Sequence, residues 1–247
     1  MSHETDSNPP VVDREAWIAA HQAFLAEEKE HMRRSDELAR RRRELPRRLV
    51  DKPYKFLDAA GSPRTLADLF AGRSQLALYH FMFGPDWNEG CPSCSFVVDN
   101  LCGIAEHLAA REVSLVLVSR AAQAKLQPFR ARLGWKLPWY SSGETDFNHD
   151  FRVSFSPGEA KSGAKLYNHD TMPPYEEECP GLSFFLKDAS GAILHTYSTY
   201  ARGLDSIMGC YQILDRVPRS RDEAGLKSSM AWVRYHDKYE PQLHQLG

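Results

Sequence analysis

The chain has 247 residues, enough for one well-buried core or for one domain with an extension. Its 42% apolar and 26% charged content is ordinary for a soluble globular protein, and a formal net charge of −2 gives no global attraction to nucleic acid or to an anionic membrane. No run approaches the roughly 18 apolar residues of a membrane span. The polar, acidic start lacks the apolar core of a signal peptide, so a cytoplasmic location is expected.

Residues 1–12 read as a disordered tail. From Asp13, a suitable cap, a helix is expected to carry Trp17, Ala20, Phe24 and Leu25 as an apolar stripe, run through the charged stretch to Glu44 and stop before Pro46. The cluster Arg40 to Arg43 with Arg47 and Arg48 is basic. Interleaved Glu27, Glu28, Glu30, Asp36, Glu37 and Glu44, and the lack of stacking aromatics beside it, point to a solvated or partner-facing helix rather than a nucleic-acid interface. The stripe predicts packing on the main domain, or on a second copy in a homodimer. Residues 1–50 are thus a tail and helical extension, and 51–247 the main domain.

Within that domain, Tyr54 to Asp58 alternates like a strand, residues 59–62 form a turn, and Thr65 caps a short helix holding Leu66, Leu69 and Phe70, closed by Gly72. Gln75 to Phe83 is an apolar run with the composition of a buried strand, and residues 84–90 read as a loop. Val97, Val98, Leu101, Ile104, Ala105 and Leu108 then recur at helical spacing. Val113 to Ser119 is a second strong strand, followed by a helix from about Ala121 to Leu133. Strand, helix, strand, helix with short connections implies right-handed crossovers and a parallel core. Trp139 to Ser142 is a further short strand. From 143 to 178 the pattern dissolves into Gly, Pro, Asp, Asn and His. A stretch so long is expected to act as a lid, and Phe147, Phe151, Phe155, Tyr167 and Tyr175 predict a wall over the cysteine motif rather than a solvated linker. Leu182 to Lys187, the turn 188–191 and Ala192 to Tyr197 form an antiparallel hairpin, and a helix is expected around Leu204 to Leu214.

Five cysteines stand at 91, 94, 102, 179 and 210. In a reducing compartment a close pair is more often catalytic or metal-binding than structural. Cys91-Pro92-Ser93-Cys94 falls where a strand and loop deliver the chain into a helix. Free backbone N–H groups and the positive end of the helix dipole favour a thiolate there, and Pro92 suits the first helical turn. The spacing puts both sulfurs on one turn, so a mixed disulfide at Cys91 can be resolved by the less accessible Cys94. A zinc site wants four ligands and a second Cys-x-x-Cys is absent. A c-type haem needs His where Ser95 stands. No cofactor or metal is therefore expected. Cys102, inside the following helix, reads as a small buried hydrophobe.

This order of elements is similar to that of the thioredoxin superfamily, and the leader Phe56 to Asp58, Gly61 and Leu66-Ala67-Asp68-Leu69-Phe70 to its peroxiredoxin-like branch. More narrowly, the chain resembles a bacterial family of predicted dithiol–disulfide oxidoreductases with a thioredoxin-like domain of unknown function. The matching stretches are Tyr79 to Trp87, Cys91 to Ser95, Trp139 to Ser142, Asp146 to Asn148 and His195 to Gly203. The resemblance implies a thioredoxin-like three-layer α/β fold with a mixed central sheet, an N-terminal helical extension and a long insertion before the C-terminal hairpin. Two departures stand out. Trp87 lies four residues before Cys91 rather than adjacent to it, and Gly84 and Asn88 occupy the places of the Pro and Thr of a peroxiredoxin signature. Pro180 is the nearest candidate for the family's cis-proline.

The expected function is thiol–disulfide exchange with Cys91 as nucleophile and Cys94 as resolving thiol. Trp87, Pro92, Cys179 and Pro180 support the site, Cys179 as a candidate extra resolving thiol. The substrate would be a protein or small-molecule disulfide, and turnover would need an external thiol reductant. Two alternatives stay open at this point: a thiol peroxidase acting on a peroxide, and a non-catalytic module that binds a metal or a partner. His149-Asp150 and His169-Asp170 read as solvated loop pairs and His195 as a satisfied core histidine.

Overall fold

A computed structural model describes residues 9–240, and the expected disordered tail lies mostly outside them. The chain divides into two units, residues 1–46 and 47–247. The described part of the first unit is chiefly α1 (Arg14–Arg42), capped as expected by Asp13, whose carboxylate accepts the Ala16 N–H at 2.9 Å. Arg33 pairs with Glu30 at 2.7 Å and Arg40 with Glu37 at 2.8 Å, one turn apart along the helix. Trp17, Phe24 and Leu25 stand exposed along this helix in the single chain. The turns after them, from Glu27 to Arg42, are charged nearly all round, and such a stretch of helix draws its support from pairs within itself.

The second unit is built on one eight-stranded sheet. In chain order its strands are β1 (Arg48–Leu49), β2 (Lys55–Leu57), β3 (Pro63–Thr65), β4 (Gln75–His80), β5 (Val113–Ser119), β6 (Trp139–Ser141), β7 (Gly181–Lys187) and β8 (Ile193–Tyr200). Across the sheet they run β1-β8-β7-β4-β5-β6-β2-β3. β4, β5 and β6 are mutually parallel, as their helical crossovers require, whereas the β7–β8 hairpin lies antiparallel against β4. The helices are α2 (Pro92–Leu101), α3 (Ala105–Ala109), α4 (Gln123–Arg132), α5 (Phe147–Asp150), α6 (Pro157–Ser162) and α7 (Gly209–Leu214).

Alternation along β4 and β5 divides the core in two. Ala77, Tyr79, Leu115 and Leu117 face a cluster completed by α2, α4 and α7 through Val97, Leu101, Leu126, Phe129 and Tyr211. Leu76, Leu78, Val116 and Val118 face the other, which Phe147, Phe151, Phe155 and Tyr167 complete. The patternless segment is therefore a folded cover: four of its five aromatics are buried on the sheet face away from α2. That corrects the expected wall over the cysteines. A buried ion pair pins this cover, with Arg120 3.0 Å from Glu178 and the Ser154 hydroxyl donating to the same carboxylate at 2.6 Å.

Other departures have local causes. The helix expected to run on to Leu108 breaks at Cys102-Gly103-Ile104, since glycine is a poor helix former. Thr65 ends β3 instead of opening a helix, although its hydroxyl still accepts the Asp68 N–H at 3.3 Å above a single 3-10 turn. The helix expected over Leu204 to Leu214 is a 3-10 stretch, Ala201–Ile207, followed by α7. No peptide among the described residues is cis, Pro180 included.

A register shift between Phe184 and Phe185 leaves Thr196 as an extra residue on β8, so His195 and Ser198 come to the same face. A polar chain then crosses three strands inside the second cluster. His80 Nε2 meets Ser183 Oγ at 2.8 Å, Ser183 meets Ser198 at 2.8 Å, and Ser198 meets His195 Nε2 at 2.7 Å. Burial and then the neighbouring His195 push His80 down to about 3; burial and then Arg48 push His195 down to about 4. Both are thus neutral in the folded protein at a pH where the unfolded chain already binds protons. Stability is full above the unfolded histidine value of about 6.5 and falls as the pH drops from there toward about 4, by about 1.4 kcal/mol per pH unit for each histidine. Urea unfolding across that range should show this slope, and His195→Asn should reduce it.

Candidate active site

Phe81, Met82 and Phe83 carry β4 past its last ladder pair, and the chain turns back through residues 84–90 to enter α2. Cys91 closes this turn by donating its N–H to the Met82 carbonyl at 3.0 Å. Gly90 is required here: a Cβ at this position would sit 2.5 Å from the Phe81 ring. Lys125 of α4 donates to the carbonyls of Pro85 at 2.6 Å and Trp87 at 2.9 Å, and Tyr235 donates its hydroxyl to the Gly90 carbonyl at 2.6 Å. Arg132 adds a clip, pairing with Glu89 and with Asp237 at 3.2 Å while its guanidinium lies 4.8 Å over the Tyr235 ring. Trp87 is half-buried and packs on the first cluster, its N–H donated to Gly84 at 3.2 Å.

Cys91 is the residue that caps α2, with extended backbone, and its sulfur accepts the Cys94 N–H at 3.5 Å. Pro92 occupies the first turn, where its missing N–H leaves nothing unpaired. Ser95 anchors the turn by donating its hydroxyl to the Cys91 carbonyl at 3.0 Å. Both cysteines are free thiols. Cys91 is partly accessible, whereas Cys94 is 1% exposed, and its sulfur accepts the Met82 N–H at 3.5 Å.

Burial and hydrogen bonding separate the two sulfurs electrically. Interaction with the Cys94 thiol, opposed by burial and helped by the N–H groups of Cys94 and Ser93, lowers Cys91 to about 7. Burial, then Cys91 itself, pushes Cys94 well above the ordinary thiol range. Burial likewise raises Cys102 and Cys179 to about 11, and it raises Cys210. Of the five thiols, Cys91 alone is lowered, which is what a helix N-terminus does to a sulfur.

Cys179 lies in the second cluster, on the sheet face away from α2, with its sulfur on the Glu176 carbonyl at 3.7 Å. The structure thus does not bring it to Cys91 and Cys94. Pro180 accepts from the Tyr167 hydroxyl in that same cover. Tyr167 and Tyr175 of the 143–178 segment both feel the Cys94 sulfur. Burial, followed by Tyr167 and the sulfurs of Cys179, Cys94 and Cys91, raises the Tyr175 hydroxyl far above its ordinary value. Asp150 is bound by Lys52 and Tyr54 at 2.7 Å each, and His169 meets the Ser198 carbonyl at 3.2 Å, so these pairs are fixed rather than simply solvated. Among the described residues no three His, Cys, Asp or Glu side chains converge as a metal site.

Sequence reading missed Lys125, Tyr235 and Tyr79, which reach the site from distant positions. Tyr79 alone carried a signal, as a phenol inside a buried strand one residue from the strand's end.

A hairpin laid antiparallel beside the strand that feeds a Cys-x-x-Cys helix, with parallel strands beyond it, defines a thioredoxin-like α/β protein. The chain belongs to the family described as "Bacterial protein of unknown function (DUF899)", which matches residues 6–239. No curated protein matches it in sequence. Among solved structures it is similar to the peroxidoxin BcpB of Mycobacterium tuberculosis at 15% identity and a TM-score of 0.45, over 66% of this chain and 93% of that one. A cysteine-to-serine mutant of PrxQ from Xylella fastidiosa matches at 14% and 0.43, over 68% and 92%. The exposed lipoprotein thioredoxin Etrx1 of Streptococcus pneumoniae matches at 14% and 0.38, over 63% and 98%. Among the described residues no helix is long and apolar enough to cross a membrane.

The asymmetry of the two thiols has a direct readout. Iodoacetamide should label Cys91 first, with a rate that rises through a midpoint near pH 7, while Cys94 resists until well above pH 9. Mass spectrometry of timed, pH-stepped reactions measures both; equal labelling of the two would contradict the geometry.

Proposed function

We propose that the protein is a dithiol–disulfide oxidoreductase in which Cys91 is the nucleophile and Cys94 the resolving thiol. The observation that carries this reading is the pairing, on one helical turn, of a partly exposed sulfur lowered to about 7 with a buried sulfur held as a thiol. At neutral pH about half of Cys91 is thiolate, near the optimum for attack on a disulfide. Residues three apart on a helix have Cβ atoms about 5–6 Å apart, so a disulfide between them needs only a modest approach.

The Cys91 thiolate attacks one sulfur of the substrate disulfide and the other sulfur departs as a thiolate. Cys94 then gives up its proton and attacks the Cys91 sulfur, expelling the remaining substrate half as a thiolate. The substrate has gained two electrons and the protein holds a Cys91–Cys94 disulfide. An external thiol reductant returns it to the dithiol.

Cys91→Ser should bring reduction of a model disulfide to background, whereas Cys94→Ser should react once and accumulate a mixed disulfide at Cys91 detectable by mass. Full turnover by Cys94→Ser would take the resolving role from Cys94, and rapid consumption of hydrogen peroxide with little disulfide reduction would replace this reading by a peroxidase.

A further inference from the structure

Tyr79 sits on β4 facing α2, with Leu117 opposite it on β5 and Leu182 opposite it on β7. It is fully buried, and its hydroxyl has no protein partner at ordinary hydrogen-bond geometry. Such an orphan is costly, and phenylalanine would fill the same space without the cost. Its polar surroundings are the motif itself. Apart from burial, the groups that act on this hydroxyl are the Cys94 sulfur first, then Cys91 and Tyr175. Tyr79 and Cys94 lie in the same buried cluster, and in the dithiol the hydroxyl makes no hydrogen bond.

Cys94 needs such a donor. With the sulfur 1% exposed, solvent does little for a negative charge there, and the Met82 N–H at 3.5 Å is a weak donor by itself. Yet reduction of a Cys91–Cys94 disulfide must place that charge on Cys94. An external thiolate attacks the accessible Cys91 sulfur and forms a new S–S bond to it. The Cys91–Cys94 bond breaks and its electron pair leaves with the Cys94 sulfur. A second reductant thiol then releases the reductant as its own disulfide, and Cys94 takes up a proton.

We propose that the Tyr79 hydroxyl is the hydrogen-bond donor to the Cys94 thiolate that departs when the disulfide is opened at Cys91. This rests on the dithiol reading above. A neutral thiol is a poor acceptor and leaves the hydroxyl unpaired, whereas a thiolate draws it into a charge-assisted bond. Burial and the nearby sulfurs keep the phenol protonated, so it is always available to donate.

The test uses the full-length protein oxidised to the Cys91–Cys94 disulfide and follows its reduction by dithiothreitol across neutral and mildly alkaline pH. Tyr79→Phe should slow the bimolecular step by roughly tenfold at equal dithiothreitol thiolate, the scale of a lost bond to a charged group. Placing 3,5-difluorotyrosine at position 79, nearly the same shape but a stronger donor, should accelerate it. A loosened core would speed reduction in both variants, so the opposed signs separate the chemical role from a structural one. Rates within twofold of wild type in both variants, or acceleration in both, would overturn the inference while the dithiol reading stands. If Tyr79→Phe fails to fold, the fluorinated protein decides by itself, an unchanged rate overturning the inference. If the wild-type chain forms no reducible Cys91–Cys94 disulfide, the dithiol reading fails, and this inference with it.

Discussion

Met82 and the start of α2 hold each other in a reciprocal grip. The Met82 carbonyl accepts the Cys91 N–H at 3.0 Å, and the Met82 N–H is donated to the Cys94 sulfur at 3.5 Å. One residue at the end of a central strand thereby fixes both cysteines, and the asymmetry of the site follows from where that residue lies. The strand end is deep in the core, so the sulfur it holds is buried and stays a thiol. The sulfur one turn earlier reaches the rim and the free N–H groups of the helix. The loop between can be short and tight only because Gly90 lets it pass the Phe81 ring, and Lys125, Arg132 and Tyr235 tie it down from elements distant in sequence.

Those distant ties mark the boundary of what was legible beforehand. The strand before the motif, the motif at a helix start, the strand Val113 to Ser119 and the hairpin all announced themselves through period and composition, because local chemistry decides them. Cys91 and Cys94 were legible for the same reason. Cys179 was misplaced because adjacency to the hairpin in sequence says nothing about which face of the sheet a loop covers. The aromatic content of 143–178 predicts a wall over the cysteines, but the alternation of β4 and β5 pairs the segment with Leu76, Leu78, Val116 and Val118 on the other face.

The C-terminal stretch carried little periodicity, yet it closes the opposite face. One Glu223 carboxylate oxygen accepts from the Tyr211 hydroxyl at 2.7 Å, the Trp232 indole at 2.8 Å and the Met230 N–H at 2.9 Å. That knot sets Trp232 edge-on to Phe96 of α2, at 5.8 Å between ring centres. The helix bearing the cysteines is therefore packed from the sheet side by strand residues and from the outside by a segment with no regular structure, organised around a single carboxylate. Packing from both sides limits the rotation of α2 about its own axis, which would otherwise carry Cys94 away from Met82.

The polar chain from His80 through Ser183 and Ser198 to His195 has a consequence for how the hairpin finds its place. Apolar strands slide past one another at little cost, since one leucine resembles the next. Four polar groups meeting at 2.7–2.8 Å across β4, β7 and β8 favour the one alignment in which all three contacts form together. The hairpin is thus indexed from inside the sheet. Because β7 is the direct neighbour of β4, that indexing reaches the strand whose end grips the two cysteines.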